Sequence, residues 1–209
     1  MHFTLISDTH GFHDRLQLKG GETLIHAGDV SKTGTMDEVV DFLKWFSQQD
    51  YKHKIFIAGN HDFFFEDCEQ ELLEFIIPEN VTYLNDSGII IDGIKIWGSP
   101  VQPRFFDWAF NRDRGEDIQK HWDLIPKDSE VLITHGPPYG ILDLTTNNLN
   151  VGCEALLSTM DRLNIKLHVF GHIHEAHGEQ QLKGTQFVNA SVLDEKYNLC
   201  FDPVRYLWP

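Results

Sequence analysis

Phe3-Thr4-Leu5-Ile6-Ser7-Asp8-Thr9-His10 opens the chain with a short apolar run that breaks at once into small, acidic and imidazole side chains. The same event recurs downstream. Leu24–Ala27 runs into Gly28-Asp29, and Ile55–Ala58 into Gly59-Asn60-His61-Asp62. Val131–Ile133 runs into Thr134-His135, and Leu167–Phe170 into Gly171-His172-Ile173-His174. Each run has strand length and ends in turn-forming residues, which reads as a buried strand. In α/β sheets the loops at the carboxyl ends of strands converge, so metal-binding and proton-handling residues collect there. A random scatter of Asp and His would not select that position repeatedly.

Helical patterns lie between the runs. Thr35-x-x-Glu38 is a capping-box signature, and Met36, Val39, Val40, Leu43 and Phe46 follow as one apolar face. Leu72, Leu73, Ile76 and Ile77 form a shorter face closed by Pro78, and Leu156, Met160 and Leu163 a third before Asn164. The middle is β-rich: Val81–Leu84, Ile89–Ile91 and Ile94–Trp97, the last two joined through the hairpin turn Asp92-Gly93. Alternation returns in Gln186–Ala190 and Val204–Trp208. The expected fold is α/β (α+β), with βαβ units first and mixed or antiparallel strands after: two packed mixed β-sheets flanked by helices, in a single domain over residues 1–209. A chain of 209 residues is long enough to bury a core of its own.

Hydrophobic residues at 41% and charged residues at 23% set aside disorder, collagen-like repeats and coiled coil. The 17 Lys+Arg against 32 Asp+Glu give a net charge of −15, which repels polyanions and argues against non-specific binding to nucleic acid or an anionic membrane. No run is apolar enough to span a bilayer, and the N-terminus lacks a basic region before an apolar one, so a soluble, cytoplasmic protein is expected. Cys68, Cys153 and Cys200 are an odd count without CxxC spacing, which argues against a disulfide framework and a thiolate zinc site.

Taken singly, the strand-end motifs have plain structural readings as turns, loops of left-handed-tolerant residues, or a hydrogen-bonded histidine. Gly171-His172-Ile173-His174 is stronger, because two histidines two apart after a strand look like a ligand pair. Jointly, Asp8, His10, Asp29, Asn60, His135, His172 and His174 make a donor set of carboxylate, imidazole and amide oxygen without sulfur. That set suits Mn²⁺, Fe or Zn²⁺. Seven donors are too many for one ion and suit two, with one carboxylate bridging. Two divalent ions against Asp8 and Asp29 leave a local charge of about +2, a pocket that attracts a phosphate ester.

The order DxH, GD, GNHD, H, GHxH resembles the calcineurin-like metallophosphoesterase superfamily, and the motifs extend over most of the chain. SDTHGFH, GSPVQPRFFDWAFNRDRG, ITHGPP, GHIHEAHG and FVNAS are similar to the class of metallophosphoesterase-domain-containing proteins related to cyclic-nucleotide phosphodiesterases. The resemblance implies a double β-sandwich with a dinuclear centre. Asp8, His10 and His174 would bind the first metal, Asp29 would bridge, and Asn60, His135 and His172 would complete the second site. His61 would sit beside the substrate phosphate as transition-state stabiliser or as acid, and Asp62 would orient the ligands. Some members of the class replace the histidine matching His172 and lose activity; this sequence keeps it.

The expected function is therefore a hydrolase: a metal-dependent phosphodiesterase acting on small phosphodiesters, cyclic nucleotides foremost, by in-line attack of a metal-bridging hydroxide, with two Mn²⁺ per chain or Fe or Zn in their place. A phosphomonoesterase acting on nucleotides or a phosphoprotein is the rival within enzymes, and an inert protein-binding scaffold the rival of another class. Arg104, Phe106 and Arg112 are candidates for the substrate rim, by stacking on a base and forking onto phosphate. The plainer alternative is that Phe105, Phe106, Trp108 and Phe110 pack this stretch onto the core. His2, His53, His121 and His168 read as surface or packing residues. The same reading is preferred for His13 and His177, with an orienting role as the lesser alternative, and His26 reads as buried and hydrogen-bonded.

Overall fold

The computed structural model describes residues 1–209. In chain order its elements are β1 (His2–Ile6), β2 (Gly21–Ala27), α1 (Met36–Ser47), β3 (Tyr51–Ile57), α2 (Phe63–Asp67), α3 (Gln70–Ile76), β4 (Thr82–Tyr83), β5 (Ser87–Ile91) and β6 (Ile94–Ser99). There follow β7 (Gln102–Pro103), β8 (Asn111–Arg112), α4 (Glu116–Trp122), β9 (Val131–Thr134), α5 (Glu154–Met160), β10 (Leu167–Phe170), β11 (Gly178–Leu182), β12 (Thr185–Asn189) and β13 (Val204–Leu207). One large sheet has the order β13-β1-β2-β3-β4 and the other β11-β12-β10-β9-β6-β5, while β7 and β8 pair as a separate two-stranded sheet. Both large sheets are mixed: β1 through β4 run parallel with β13 antiparallel on the edge, and β12-β10-β9-β6 run parallel between antiparallel β11 and β5.

Side-chain alternation explains why two sheets pack. Phe3 and Leu5, Ile25 and Ala27, Ile55 and Ile57 face one way and meet Val131 and Ile133, Leu167 and Val169, Val188 and Ala190 of the second sheet. The residues between them point outward. Ile6, Leu24 and Phe56 pack under α1 with Val39, Phe42, Leu43 and Phe46, while Leu132 packs under α4 and α5 with Ile118, Trp122 and Leu156. The result is the expected pair of packed mixed sheets with helices outside. No helix is long and apolar enough to cross a membrane, and all three cysteines are unpaired.

The capping box on α1 forms, Thr35 accepting from the Glu38 N–H while Glu38 accepts from the Thr35 N–H. The buried face is rotated from the expected one, however: Phe42 is fully buried, whereas Met36 and Val40 are 45% and 44% exposed. The buried stripe is Val39, Phe42, Leu43 and Phe46, at helical spacing, and Met36 and Val40 lie to its side. On α3 only Leu73 is fully buried, and Leu72 lies on the solvent side because a two-turn helix presents too narrow a face to cover all four apolar residues. The Asp92-Gly93 hairpin joins β5 and β6 as expected, with Ile91 opposite Ile94.

Candidate metal centre

The carboxyl ends of β1, β2, β3, β9 and β10 bring the seven proposed ligands to one edge of the molecule. Asp8, His10 and His174 offer donor atoms within 4.8 Å of one another; so do Asp8, Asp29 and His135, and so do His10, Asp29 and His61. The groups overlap through Asp8, His10 and Asp29. Asp29 lies between His10 and His135, with Oδ2 3.4 Å from His10 Nε2 and 3.4 Å from His135 Nε2. Asn60 joins this half of the site, its Oδ1 2.8 Å from His135 Nε2. His172 lies with its ring centroid 5.0 Å from that of His135, and its backbone N–H donates to Asp8.

Backbone contacts aim these side chains. His135 Nδ1–H donates to the Ala27 carbonyl at 3.0 Å and His174 Nδ1–H to the Asp194 carbonyl at 2.9 Å, so each ring turns Nε2 into the centre. Asp8, His10, Asp29 and His172 have φ of 56°, 42°, 55° and 68°, left-handed values that cost an L-residue about 1–2 kcal/mol each. The strain is held by cross-loop bonds, Asp8 N–H to Gly28 carbonyl at 2.9 Å and His10 N–H to Asp29 carbonyl at 3.0 Å. Close approach also dictates two glycines. A Cβ at Gly171 would overlap the Asp8 carboxylate and Ser7, and one at Gly28 would come within 2.5 Å of His135 Nδ1.

Electrostatics fit the residues to divalent cations. Burial alone would raise the Asp8 and Asp29 carboxyls, but His174 and His135 beside Asp8, and His135 and His10 beside Asp29, hold both well below the usual range. Burial opposes charge on His135 and His174 as well, yet Asp29 and Asp8 push them up to about 9. Burial wins for His10 and His172, which fall to about 4 and about 3. The carboxylates and these imidazoles thus favour opposite charge on one another, and His10 Nε2 and His174 Nε2 face each other at 3.4 Å in a buried site. Two carboxylates, imidazole nitrogens and an amide oxygen directed at one another are a donor set that suits two ions of the manganese, iron or zinc type.

His61 and Asp62 occupy different positions around this set. The His61 N–H donates to Asp29 Oδ1 at 2.8 Å, its Nδ1–H donates to the Lys32 carbonyl at 2.8 Å, and its ring stacks on Trp108 at 4.2 Å. Its Nε2 is left facing the centre, close enough to His10 and Asp29 to share an ion with them. Asp62 is fully buried and accepts from the N–H groups of Val30, Ser31 and Gly59 and from the Ser31 hydroxyl. Burial and the nearby Asp29 push its carboxyl up to about 6.

A cavity of about 290 Å³ opens beside His172, walled by Arg104, Phe105, Arg114, Thr145, Val151 and Glu175 among others. Of the three rim candidates, Arg104 lines it. Phe106 is 74% exposed, and Arg112 is engaged elsewhere, donating to His121 Nε2 at 3.0 Å and the Asn111 carbonyl at 2.7 Å; neither is among the lining residues. His121 in turn donates from Nδ1 to Asp86 at 2.6 Å. His13 pairs with Asp41, His177 stacks on Phe201, and His26 is buried against Thr9, its Nδ1 accepting the Gly28 N–H.

Sequence reasoning did not single out several residues around the centre. Ser191, in the FVNAS string, donates to Asp8 Oδ2 at 2.5 Å. Tyr197 sets its ring edge-on at 4.9 Å from His10 and 5.4 Å from His174, from a left-handed turn with no local sequence signal. Glu175 adjoins a proposed ligand, and that adjacency was the available signal.

Residues 1–176 match the model of the family described as calcineurin-like phosphoesterase. The chain is 40% identical to the human "Metallophosphoesterase domain-containing protein 1", over 97% of this chain and 69% of that protein. It is 34% identical to a UPF0046 protein of Caenorhabditis elegans, over 98% of this chain and 74% of that one. Among solved structures, the phosphopantetheinyl hydrolase of Mycobacterium tuberculosis superposes with a TM-score of 0.63 at 15% identity, over 93% of this chain and 90% of that one, a likeness of fold.

Proposed function

Because the chain belongs to the calcineurin-like phosphoesterase family, and is on that ground a metal-dependent phosphoesterase, we propose that it hydrolyses small phosphodiesters, cyclic nucleotides foremost, at a two-metal centre. The observation that supports the reading is the overlap of three donor groups through Asp8, His10 and Asp29, an arrangement that suits two neighbouring ions with Asp29 between them. Asp8, His10 and His174 would hold one ion, and Asn60, His135 and His172 the other. Manganese is our first choice for a nitrogen and oxygen donor set without sulfur. We place the protein in the cytoplasm on its three unpaired cysteines.

When bound, divalent ions supply Lewis-acid activation of water and neutralise phosphoryl charge. The chain's own residues do the rest. The fixed rings of His135 and His174 and the clamped Asp29 loop set the geometry in advance, so no reorganisation is needed as charge develops. His61, with Nδ1–H held by Lys32, presents Nε2 to the phosphate, where in its protonated form it gives a proton to the leaving oxygen or a hydrogen bond to a phosphoryl oxygen. Asp62 keeps the loops of Asp29 and Asn60 in register. The cavity beside His172 gives space for the organic group that a phosphoester carries beyond its phosphorus.

The test is hydrolysis of a panel of cyclic diesters, linear diesters and monoesters by Mn²⁺-loaded protein, with bound metal measured on the same sample. Diesters are expected to turn over faster. Turnover of monoesters alone would reassign the substrate class, and intact protein without affinity for metal would point to the scaffold reading.

A further inference from the structure

We propose that Glu175 selects the group carried by the phosphoester, by accepting N–H donors from it; this rests on the phosphodiesterase reading above. Glu175 follows His174 directly and lines the cavity beside His172. Its Oε1 takes the Thr146 N–H at 2.9 Å, which fixes the carboxylate to the 143–150 loop, while Oε2 makes no hydrogen bond to the protein. The other charges of the wall are already matched. Arg104 donates to Asp113 at 2.6 Å; Arg114 donates to Glu154 at 2.5 Å and to the Val151 and Gly152 carbonyls at 2.7 and 2.8 Å. Glu175 is therefore the wall charge without a counter-charge.

Phe105 shares that wall and is 55% exposed. A half-buried carboxylate near an open aromatic ring rejects anions and receives N–H groups. Two kinds of ester present them. A guanine base offers N1–H and its exocyclic amine to one carboxylate while its face stacks on the ring, and an ammonium headgroup offers its own N–H donors. Hypoxanthine keeps N1–H and lacks the amine. The proposed rule is that affinity follows the number of N–H donors directed at Glu175.

Equilibrium binding of inorganic phosphate, GMP, IMP and phosphoethanolamine to Mn²⁺-loaded wild type and Glu175→Gln tests this without turnover. In the variant the amide oxygen keeps the Thr146 N–H, so its NH₂ meets the ligand donor to donor. Wild type is expected to bind GMP more tightly than IMP. Glu175→Gln is expected to weaken GMP by about tenfold or more and to close that gap, leaving phosphate unchanged. If phosphoethanolamine weakens instead of GMP, the ammonium is the source of the donors and the proposal stands. It is overturned if all four ligands bind both proteins alike, or if phosphate weakens together with them. Glu175-dependent binding in a protein that cleaves no diester would sink the phosphodiesterase reading and leave this one in place.

Discussion

Replacing Asp62 by Asn changes one atom in a side chain that touches no proposed substrate, and should loosen the metal centre nonetheless. Four donors converge on Asp62: the Val30 and Gly59 N–H groups on Oδ2 at 3.1 and 2.8 Å, and the Ser31 N–H and hydroxyl on Oδ1 at 2.9 and 2.5 Å. Asn keeps one oxygen. The better orientation gives that oxygen to Val30 and Gly59 and turns the NH₂ toward Ser31, whose hydroxyl can accept from it and donate to the His61 carbonyl 3.4 Å away. The Ser31 N–H is then left buried and unsatisfied, at a cost of about 1–3 kcal/mol. Loss of a like charge beside Asp29 offsets part of this.

The expected outcome is therefore a fall in stability of the metal-free protein of about 1–3 kcal/mol, measured by urea unfolding. Val30 and Ser31 follow Asp29, and Gly59 precedes Asn60, so Mn²⁺ affinity measured by calorimetry should fall about 10–100-fold as well. An unchanged unfolding midpoint would refute the hydrogen-bond count. A destabilised variant with wild-type metal affinity would refute the orienting role and leave Asp62 as packing.

Three further outcomes are expected. His172→Ala should lose one ion and Asp29→Ala should disrupt both, read as metal stoichiometry by elemental analysis; equal metal content in Asp29→Ala and wild type would overturn the bridging assignment. His61→Ala should cost about 10²–10⁴-fold on a cyclic nucleotide and far less on a nitrophenyl diester, whose phenolate leaves without a proton. Equal losses would make His61 a charge stabiliser, and loss of an ion would make it a ligand, as its grouping with His10 and Asp29 permits. His168, buried with Nε2–H donating to Thr134, is pushed down to about 3 by burial, so below pH 6.5 the unfolded chain takes up the proton first. Its stabilisation is whole above pH 6.5 and is lost as pH falls, by up to about 1.4 kcal/mol per unit; His168→Gln should flatten that acid limb in unfolding titrations, and parallel curves would refute it.

The strand-end motifs were legible because strand length, period-two burial and convergence of carboxyl ends are local or generic rules. Asp8, Asp29, Asn60, His135 and His174 needed only those rules to be brought together. What the sequence hid depends on partners far along the chain. β11 is the polar, half-exposed Gly-Glu-Gln-Gln-Leu, a strand by its pairing with β12 and not by its pattern. The buried face of α1 turned on which residues meet the sheet, and Phe42 packs there with Ile6, Leu24 and Phe56 while Met36 and Val40 are left exposed. In the 101–115 stretch, composition could not say which arginine reaches the cavity, because Arg112 is drawn to His121 on α4 and Glu66 on α2, side chains whose proximity only the fold creates.

The left-handed ligands have a consequence for how such a centre fares under mutational drift. Glycine at His172 would relieve about 1–2 kcal/mol of backbone strain while costing about 0.5–1 kcal/mol in unfolded-chain freedom. The tie from this residue to Asp8 runs through its backbone N–H, which glycine retains. If His172 holds a metal as proposed, one replacement can therefore remove a ligand while the architecture survives, and purifying selection for folding alone would not notice. Copies without that ligand are easy descendants of this backbone, since folding alone does not call for an imidazole at position 172.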